Sequence, residues 1–531
     1  MHTDIRMKKI LLFFPLYIAS FITHAQSIPI GQPGTEDMLR VLQLTGKIDS
    51  AHSLTSRPFF YNNSITRKNL LSLIDSSFDV DLAEKSFSNN KIKFSVLPAT
   101  FATKFNSHHP YGWNDGPMLM AKGLQTSLTA GVYAELGPLS IQLQPEYVYS
   151  TNATYAITTD YGYNSEKSYS KLFLGQSAIR LKLGAVSIAA SSESLWWGPG
   201  QFSSILMSNN APGFQHLSFN TIKPLKTPIG SFEWQLVVGR LDEDTAAAFE
   251  NNNMKPFYPK NEPRYFNGMV ITYQPSFIKG FFLGLTRSVH LYMNGLDQSS
   301  GSFISKYLPV LAGASPDANA SANSIPSDGA FSVFTRWIMP KQKAEFYLEY
   351  GYNDFKQNLR DLAVNANHSS AYIAGFKKLI ELPKNELLDI SGEITQMSQT
   401  TSYVLRNSWN FYSHVGVDQG YTYQNQIMGA GSGKGNNVQT LQIKKIQGFQ
   451  YVGIKLQRIK QNPKDVNPPL LNSLGMRDIQ WTDVAIGFLG QKRWNRFVVN
   501  GELQLVSSKN YGFAAGNKFN LFAVVNATYY W

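Results

Sequence analysis

The sequence predicts an all-β fold: a transmembrane antiparallel β-barrel of about 18 strands with a small N-terminal periplasmic helical bundle. Three observations predict it. Apolar and polar residues alternate in many segments, short Gly/Pro turns alternate with long polar loops, and the chain starts with a secretory pattern. Strands of about ten residues with one apolar and one polar face make a barrel with lipid outside and water inside.

The alternation follows the two-residue period of a β-strand. In the segment 344–352, Phe346 and Leu348 lie on one face, and Glu345 and Glu349 lie on the other. A soluble β-sandwich would show the same alternation, but the secretory start, the aromatic end and the unequal connections favour a membrane barrel. The same pattern recurs in segments 139–147, 495–506 and 519–531.

Two kinds of connection separate the predicted strands, as in outer-membrane barrels. The short turns are expected at 136–138, 184–185, 227–230, 276–280, 339–343, 382–385, 447–448 and 490–493. The long loops are expected near 106–118, 151–169, 194–215, 242–263, 291–328, 354–369, 399–437, 461–479 and 508–517. These seventeen connections join eighteen strands and leave both chain ends on the periplasmic side. Pro145 lacks an amide N–H, so a bulge or a rim position is expected where it interrupts a strand.

The N-terminus has the pattern of a cleaved secretory signal. Lys8 and Lys9 precede an apolar stretch at 10–22, and Ala25 ends a small-residue cleavage site. No later stretch approaches the length of a membrane helix. We therefore predict three regions: a signal peptide at 1–25, a periplasmic helical segment at 26–90 and the outer-membrane barrel at 91–531.

Two helices are expected in the segment that precedes the barrel. Thr35 is placed to cap a helix at 35–47, which has acids in its first turn. Thr66 is placed to cap a second helix that ends near Asp75. Because both helices precede the first barrel strand, we expect a small plug or collar at the periplasmic end.

Composition limits the possible chemistry. The sequence has no cysteine, which excludes disulfides, thiolate catalysis and the acylated cysteine of a lipoprotein. The net charge is +12, and removing residues 1–25, with three cations and one anion, leaves +10. A basic chain favours anionic partners, which at a bacterial surface means acidic polysaccharide or lipopolysaccharide as readily as nucleic acid, and a merely basic solvated surface is an equal alternative. For an outer-membrane barrel we predict surface polysaccharide, outer-membrane lipid and lipopolysaccharide as partners, and no nucleic acid.

Motifs for catalysis and metal binding are missing from the sequence. The histidines are scattered without metal spacing, and no Gly-x-Ser-x-Gly elbow occurs. The acids Asp242, Glu243 and Asp244 favour a solvated turn over a calcium site. The glycine-rich run 429–435 lacks the spacing of a phosphate-binding loop and predicts a flexible loop. We predict no catalytic residue, no metal and no cofactor.

The most distinctive part of the sequence is the run 193–213. Trp196 and Trp197 are followed by Gly198, Pro199 and Gly200. Farther along come Ser208, Asn209, Asn210, Ala211 and Pro212. Both runs resemble the signature of the Wzi capsule-assembly family. The resemblance implies an eighteen-stranded outer-membrane barrel with a periplasmic helical bundle, which acts as a surface lectin that holds capsular polysaccharide.

Candidate sugar-binding residues follow from the chemistry of the loops. Trp196 and Trp197 have flat faces that can stack on sugar rings, and the amides of Asn209 and Asn210 can bond hydroxyls. The alternative is that the tryptophans pack a loop that closes the pore. Gly198, Pro199, Gly200, Ser208, Ala211 and Pro212 are expected to have structural roles. A second set, for which ordinary loop composition is the stronger alternative, comprises Trp113, Asn114, Tyr161 and Tyr163.

Three functions remain open from the sequence. The first is a non-enzymatic lectin that attaches or organises surface polysaccharide, as the resemblance implies. The second is an outer-membrane porin or glycan channel, which would conduct ions. The third is a barrel hydrolase that acts on lipid or glycan, because such enzymes need only a few dispersed residues.

Overall fold

The computed structural model describes residues 26–531 except 33, 62–64, 79–83, 88–91, 156–166, 246–261, 299–301, 312–326, 354–368, 399–409, 415 and 463–478. The predicted signal peptide, Tyr161 and Tyr163 lie outside the described residues. The helices are α1 Glu36–Leu44, α2 Arg67–Ile74, α3 Met293–Gln298 and α4 Phe303–Tyr307. Among the described helices, none has the length and apolar character needed to cross a membrane.

The strands of the first half are β1 Ser27–Ile28, β2 Ser56–Arg57, β3 Phe59–Phe60, β4 Glu84–Phe87, β5 Ile92–Val96, β6 Ala99–Asn106, β7 Gly123–Thr129, β8 Val132–Leu136, β9 Leu139–Leu143, β10 Glu146–Ser150, β11 Tyr169–Phe173, β12 Ala178–Leu183, β13 Val186–Ser191, β14 Trp196–Trp197, β15 His216–Thr221, β16 Leu225–Thr227 and β17 Gly230–Leu241. Those of the second half are β18 Arg264–Pro275, β19 Phe281–Tyr292, β20 Ser327–Met339, β21 Ala344–Asn353, β22 Ser370–Leu382, β23 Glu386–Gln396, β24 Thr422–Tyr423, β25 Gln426–Ile427, β26 Asn437–Gln447, β27 Gln450–Lys460, β28 Thr482–Trp494, β29 Phe497–Lys509 and β30 Asn517–Tyr529.

One large antiparallel sheet contains most of these strands. From β17 to β23 and from β26 to β30, each strand pairs with its neighbour in sequence. The last strand, β30, also pairs with β6 near the start of the sheet, with Tyr529 opposite Ala99 and Phe522 opposite Asn106. The sheet is thus the all-β, antiparallel fold that the alternation predicted, while the count of eighteen strands stays a prediction.

The two faces of the sheet differ as predicted. In β21, Glu345, Tyr347 and Glu349 are buried, whereas Phe346 and Leu348 between them are exposed. The outward face of the other strands is likewise apolar, and it includes Leu172, Ile179, Ile188, Leu217, Val333, Ile454, Leu456, Phe488 and Leu505. An apolar outer wall around a polar interior is the pattern of a barrel in lipid.

The predicted turns can be compared with the strand ends one by one. Seven of the eight predicted short turns coincide with turns between paired strands, of which the first is at 137–138 and the last at 448–449. The eighth is wrong: residues 490–493 lie inside β28, and the turn is at 495–496, where Asn495 has a φ of +50°. The polar residues after Gly490 suggested a turn. A strand position that faces the barrel interior also accepts polar side chains, and Gln491 is an example because it donates to the Phe449 carbonyl oxygen at 2.6 Å.

Pro145 lies between two strand pieces. β9 ends at Leu143 and β10 begins at Glu146, so the proline occupies an interruption of the hydrogen-bonded ladder. This is the consequence expected for a residue without an amide N–H.

Residues 26–78, described except for 33 and 62–64, form a unit that we call the plug. The side chain of Thr66 caps α2 by accepting from the Asn69 amide at 3.2 Å, whereas Thr35 precedes α1 without such a bond. The helices pack against side chains inside the barrel, and the shared apolar core includes Leu39, Leu42, Leu70, Ile74, Phe282, Ile338, Leu379, Ile446, Phe449, Val498 and Tyr530. The plug therefore lies inside the barrel. The segment predicted to be helical, 26–90, extends beyond the plug and includes β4, which pairs with β5 in the large sheet.

His52 makes the plug sensitive to acid. Burial lowers the pKa of His52 to about 4; Asp49 opposes this shift, and Lys226 adds to it. When the plug leaves the barrel, His52 becomes solvated and its pKa should be near the ordinary 6.5. Between pH 7 and pH 5 this undocked state gains a proton that the docked state does not gain. The free energy that holds the plug in the barrel therefore falls by about 2 kcal/mol. We expect hydrogen exchange to show less protection of α1 at pH 5, and less of this pH effect in His52→Phe. An equal pH effect in both proteins would contradict the prediction.

The outer wall predicts a position-dependent cost for a charge. Leu456 lies at the middle of β27 on the exposed face, and Val452 lies near its end on the same face. Leu456→Arg should cost about 2–4 kcal/mol of folding free energy in a bilayer, against about 0–1 kcal/mol for Val452→Arg near the interface. Refolding into lipid vesicles in a denaturant series measures both values. Equal costs would show that this face does not span lipid.

Candidate functional site

The Trp-Trp-Gly-Pro-Gly run lies in a loop that turns into the barrel. The flanking strands β13 and β15 are short, and the loop 192–215 between them contacts the plug. Its strand β14 pairs with β2, so that Trp196 lies opposite Arg57. The Gly198 amide also donates to the Thr55 carbonyl oxygen at 2.8 Å. The loop and the plug are therefore joined by backbone hydrogen bonds.

Both tryptophans are covered. Trp197 is 0% exposed, donates from Nε1 to Gln235 Oε1 at 2.6 Å and stacks near Phe266. Trp196 is 3% exposed, and the Arg57 guanidinium lies 4.3 Å from its ring centre, which is a cation–π contact. Among the residues that the structure describes, none is a hydrogen-bond partner of the Trp196 indole nitrogen. In this conformation, both rings serve packing, which was one of the two roles predicted for them.

Replacing either glycine of the run would strain the turn. Gly198 has a φ of +103°, and a Cβ there would lie 2.7 Å from Glu349 Oε2. A Cβ on Gly200 would lie 1.9 Å from the Ser203 carbonyl oxygen, which is far inside contact distance. The turn also points the carbonyl oxygens of Pro199 and Gly200 at Arg40 of the plug, at 2.5 and 3.1 Å.

The Ser-Asn-Asn-Ala-Pro run connects this loop to a second one, residues 410–436. The Ser208 amide donates to the Met428 carbonyl oxygen at 2.7 Å, and Ser208 Oγ donates to that of Gly429 at 2.5 Å. Asn210 Nδ2 donates to the Ile427 carbonyl oxygen at 2.8 Å. Ala211 and Pro212 are buried beside these contacts.

A third loop, residues 107–122, meets the same run. Asn209 Nδ2 donates to the Asn114 carbonyl oxygen at 3.2 Å, and Asn114 Nδ2 donates to that of Phe202 at 2.8 Å. Trp113 is half-buried, with its ring centre 6.2 Å from that of Tyr111. The three loops and the plug thus occupy the described part of the barrel interior.

A pocket of about 140 Å³ lies where the plug meets these loops. It brings together three of the predicted residues, Trp196, Asn114 and Asn209, while Trp197, Asn210 and Trp113 do not line it. The remaining lining residues were not predicted, and they are Ile30, Gly31, Glu36, Asp37, Arg40, Arg57 and Gln201.

The arginines of the pocket are neutralised by carboxylates. Arg57 pairs with Glu36 at 2.5 Å, and Arg40 pairs with Glu345 of β21 at 2.9 Å. Burial lowers the pKa of the Arg57 guanidinium, and Glu36 opposes that effect. Burial also works against the charge of Arg40, but Glu345, Tyr347 and Glu393 together outweigh it and raise the pKa of Arg40 above its ordinary value. Both arginines are therefore held as cations in fixed positions.

Two other sequence predictions differ from the structure. The run 429–435 is buried and contacts Asn210 and Ile205, so the prediction of a flexible loop is wrong. Of the acids at 242–244, Glu243 and Asp244 have buried side chains, and they pair with Arg264 and with Lys171, which lies 2.7 Å from Asp244. Asp242 pairs with Arg240 in solvent, as predicted. Within the described residues, no group of three or more acids and histidines is arranged to hold a metal ion.

The comparisons with known proteins agree with this architecture. The family model described as capsule assembly protein Wzi matches residues 107–517. The chain belongs to the Wzi family. This confirms the resemblance carried by residues 196–200 and 208–212. No curated protein matches the chain.

Among solved structures, this Wzi-family chain is similar to Wzi of Escherichia coli, described as an outer membrane protein involved in group 1 capsule assembly and as a carbohydrate-binding β-barrel. The identity is 13% and the TM-score 0.58, over 93% of this chain and 98% of that one. OprB of Pseudomonas putida has 11% identity and a TM-score of 0.36, over 82% of this chain and 94% of that one. OprD of Pseudomonas aeruginosa has 7% identity and a TM-score of 0.40, over 85% of this chain and 99% of that one. The last two likenesses are weak.

The plug residues of the site escaped sequence reasoning, although one signal was present. Arg40 stands among Met38, Leu39, Val41 and Leu42 in a short helix. A charge flanked by apolar residues on a buried helix requires a partner, and this requirement indicates a contact with the barrel. No comparable signal marks Arg57 or Gln201, because neither lies in a helix whose apolar residues indicate a buried face.

Proposed function

We propose that this chain is a non-enzymatic lectin of the bacterial outer membrane that attaches or organises capsular or other surface polysaccharide. The observation that carries the proposal is membership of the Wzi family over residues 107–517. The solved E. coli Wzi, which has the same fold, is described as carbohydrate-binding, and we extend that property to this chain.

The interior of the barrel supports binding over conduction. A porin needs a continuous aqueous path, and here the plug and the loops 107–122, 192–215 and 410–436 pack against inward-facing wall side chains. Apolar contacts and backbone hydrogen bonds keep the plug and these loops inside the barrel. We therefore favour a closed lectin over the porin or solute-channel alternative.

The contact residues for polysaccharide remain part of the proposal. Trp196, Asn114 and Asn209 line one pocket and are the favoured candidates. The roles predicted for Trp197, Asn210, Trp113, Tyr161 and Tyr163 in sugar binding stay predictions. Lipid and lipopolysaccharide are expected as partners of the apolar wall and of the basic chain.

Polysaccharide retention by cells tests the proposal. A strain that lacks the protein should still make its surface polysaccharide but release a larger share into the medium, and the intact chain should restore retention. Cell-bound and released polysaccharide are measured separately, so that loss of synthesis is distinguished from loss of attachment. Unchanged retention without the protein would overturn the proposal.

A further inference from the structure

Three basic side chains are clustered on the outward face of the sheet, near the ends of β27 and β29. Arg458 and Lys460 of β27 and Lys509 of β29 are exposed on the same face as the apolar wall. Thr482 of β28 lies opposite both lysines, which are therefore two strands, or about 10 Å, apart. Arg458 is about 7 Å along the strand from Lys460. We call these three residues the cationic patch.

Among the described residues, no carboxylate neutralises the cationic patch. Arg458 donates from Nη1 to the neutral Gln439 Oε1 at 2.9 Å. By contrast, the exposed Lys445 of β26 pairs with Glu386 at 2.8 Å. A group of cations without anions of its own attracts an anionic partner. The residues beside the patch in the same two rows of the sheet are uncharged, and they are Asn437, Gln439, Thr482, Val484, Ser507, Asn517 and Phe519.

An apolar groove of about 1110 Å³ begins beside Arg458 on the same outward face. The row of paired residues from Leu456 of β27 to Phe346 of β21 crosses β26, β23 and β22, which is a distance of about 19 Å. One leaflet of a bilayer contains about 15 Å of hydrocarbon, so the groove is long enough for an acyl chain. The exposed apolar side chains that line it include Phe346, Ile394, Leu441, Leu456, Ile486, Leu505 and Phe519.

The cationic patch lies at the level of the lipid headgroups of the outer leaflet. Short turns at 448–449 and 495–496 close the opposite ends of these strands, so the patch is at the outer end of the barrel. The strand β28 has 13 residues, which extend over about 40 Å. At the usual tilt of about 40°, it rises by about 30 Å, the thickness of the hydrocarbon core. With Trp494, Phe497 and Tyr529 at the inner interface, the patch is therefore at the outer one.

We propose that the cationic patch and the groove together bind the lipid A part of one lipopolysaccharide molecule. Lipid A carries two phosphate monoesters, each with about −1.5 to −2 charges at pH 7, and these match three cations better than the single phosphodiester of a glycerophospholipid does. Its acyl chains match the apolar groove. The inference rests on the outer-membrane location in the proposed function, for which it names a lipid partner and the residues that bind it. Polysaccharide binding is independent of it, because the patch and the groove lie on the outside of the barrel.

Titration of the full chain in detergent with bisphosphorylated lipid A tests the inference. The patch variant is the triple substitution Arg458→Gln, Lys460→Gln and Lys509→Gln. Each basic side chain near a headgroup contributes about a factor of five, so the patch variant should bind lipid A about a hundredfold more weakly than wild type.

Three other probes distinguish the chemical groups that wild type recognises. Monophosphorylated lipid A should bind at least fivefold more weakly than the bisphosphorylated form, because it has lost one headgroup charge. Phosphatidylglycerol, with its single phosphodiester, should bind at least tenfold more weakly. The deacylated bisphosphorylated disaccharide should also bind at least tenfold more weakly, because it has no chains to bury in the groove.

The triple substitution Lys279→Gln, Lys341→Gln and Lys492→Gln is the matched control. These lysines are also exposed, but they lie at the opposite rim, in or near the short turns. The control variant loses the same net charge as the patch variant and should bind lipid A within about twofold of wild type. Both variants should bind surface polysaccharide as wild type does. Unchanged migration on unboiled gels identifies the variants that are folded.

Four results would overturn the inference. The first is equal lipid A affinity of wild type and the patch variant. The second is that phosphatidylglycerol or the deacylated disaccharide binds wild type as tightly as lipid A does. The third is a high yield of disulfide-linked dimers of Ser507→Cys in vesicles, which would place a second copy of this cysteine-free chain on the wall. The fourth is loss of polysaccharide binding in the patch variant alone, which would assign the cations to polysaccharide.

These results are distinguishable from failure of the proposed function. If wild type and the patch variant bind lipid A equally but both bind the purified surface polysaccharide, the lipid site is wrong and the lectin stands. If wild type binds lipid A through the patch but does not bind polysaccharide, the lipid site stands and the lectin is wrong.

Discussion

Gly200→Ala should open the barrel to ions. The new Cβ would lie 1.9 Å from the Ser203 carbonyl oxygen, so the turn must move. Overpacking typically costs about 1–3 kcal/mol and occasionally more, and a contact this short lies at the upper end. The movement displaces the carbonyl oxygens of Pro199 and Gly200 from Arg40 and separates the loop 192–215 from the plug. Wild type should give no steady current in planar bilayers, whereas the variant should give open-channel steps.

Gly490→Ala is the control for this prediction. A Cβ on Gly490 would meet no atom within 4 Å, so the same chemical change in β28 should leave the protein closed. Equal conductance of Gly200→Ala and wild type, with both proteins folded, would show that this turn does not seal the interior.

Glu345→Gln should loosen the plug strongly. Glu345 Oε1 accepts from Arg40 of α1, and its Oε2 accepts from Arg336 of β20, so one buried carboxylate joins two cations on different elements. Arg336 further donates to the Ser53 carbonyl oxygen at 2.5 Å. The substitution removes the carboxylate that pairs with both buried guanidiniums, and removing one partner of a buried pair costs about 3–5 kcal/mol.

Hydrogen exchange of α1 measures this loss. Exchange through undocking should accelerate by at least a hundredfold, since about 1.4 kcal/mol corresponds to a factor of ten. Glu381→Gln is the matched control, because Glu381 pairs with Lys343 at 2.9 Å but is 67% exposed on its side chain. Exposed pairs contribute about 0–1 kcal/mol. Similar exchange in the two variants would mean that the buried network does not hold the plug.

Much of the fold follows from local patterns in the sequence. The alternation of Glu345 and Glu349 with Phe346 and Leu348 fixes which face is buried, because side chains of a strand point alternately to its two sides. Short turns follow from Gly and Pro, and the one misplaced turn, at 490–493, arose because polar residues in a lumen-facing strand resemble a turn. In the sequence alone, the polar residues of a strand that faces the barrel interior have the same composition as those of a solvent-exposed turn.

The site was less predictable because it is built from distant parts of the chain. The motif around Trp196 was conspicuous, but its inward course depends on the shortness of β13 and β15 and on backbone pairing with Arg57. Composition does not indicate that a loop folds into a barrel instead of over it. The buried course of residues 429–435 was missed for the same reason, since glycines that permit close packing also suggest flexibility.

The most direct test of the central claim is polysaccharide binding by the purified full chain in lipid nanodiscs, with conductance recorded on the same preparation in planar bilayers. The probe is the surface polysaccharide purified from the cells that make this protein. We expect saturable binding together with no open-channel current. An open-channel current without polysaccharide binding would contradict it and would favour the channel.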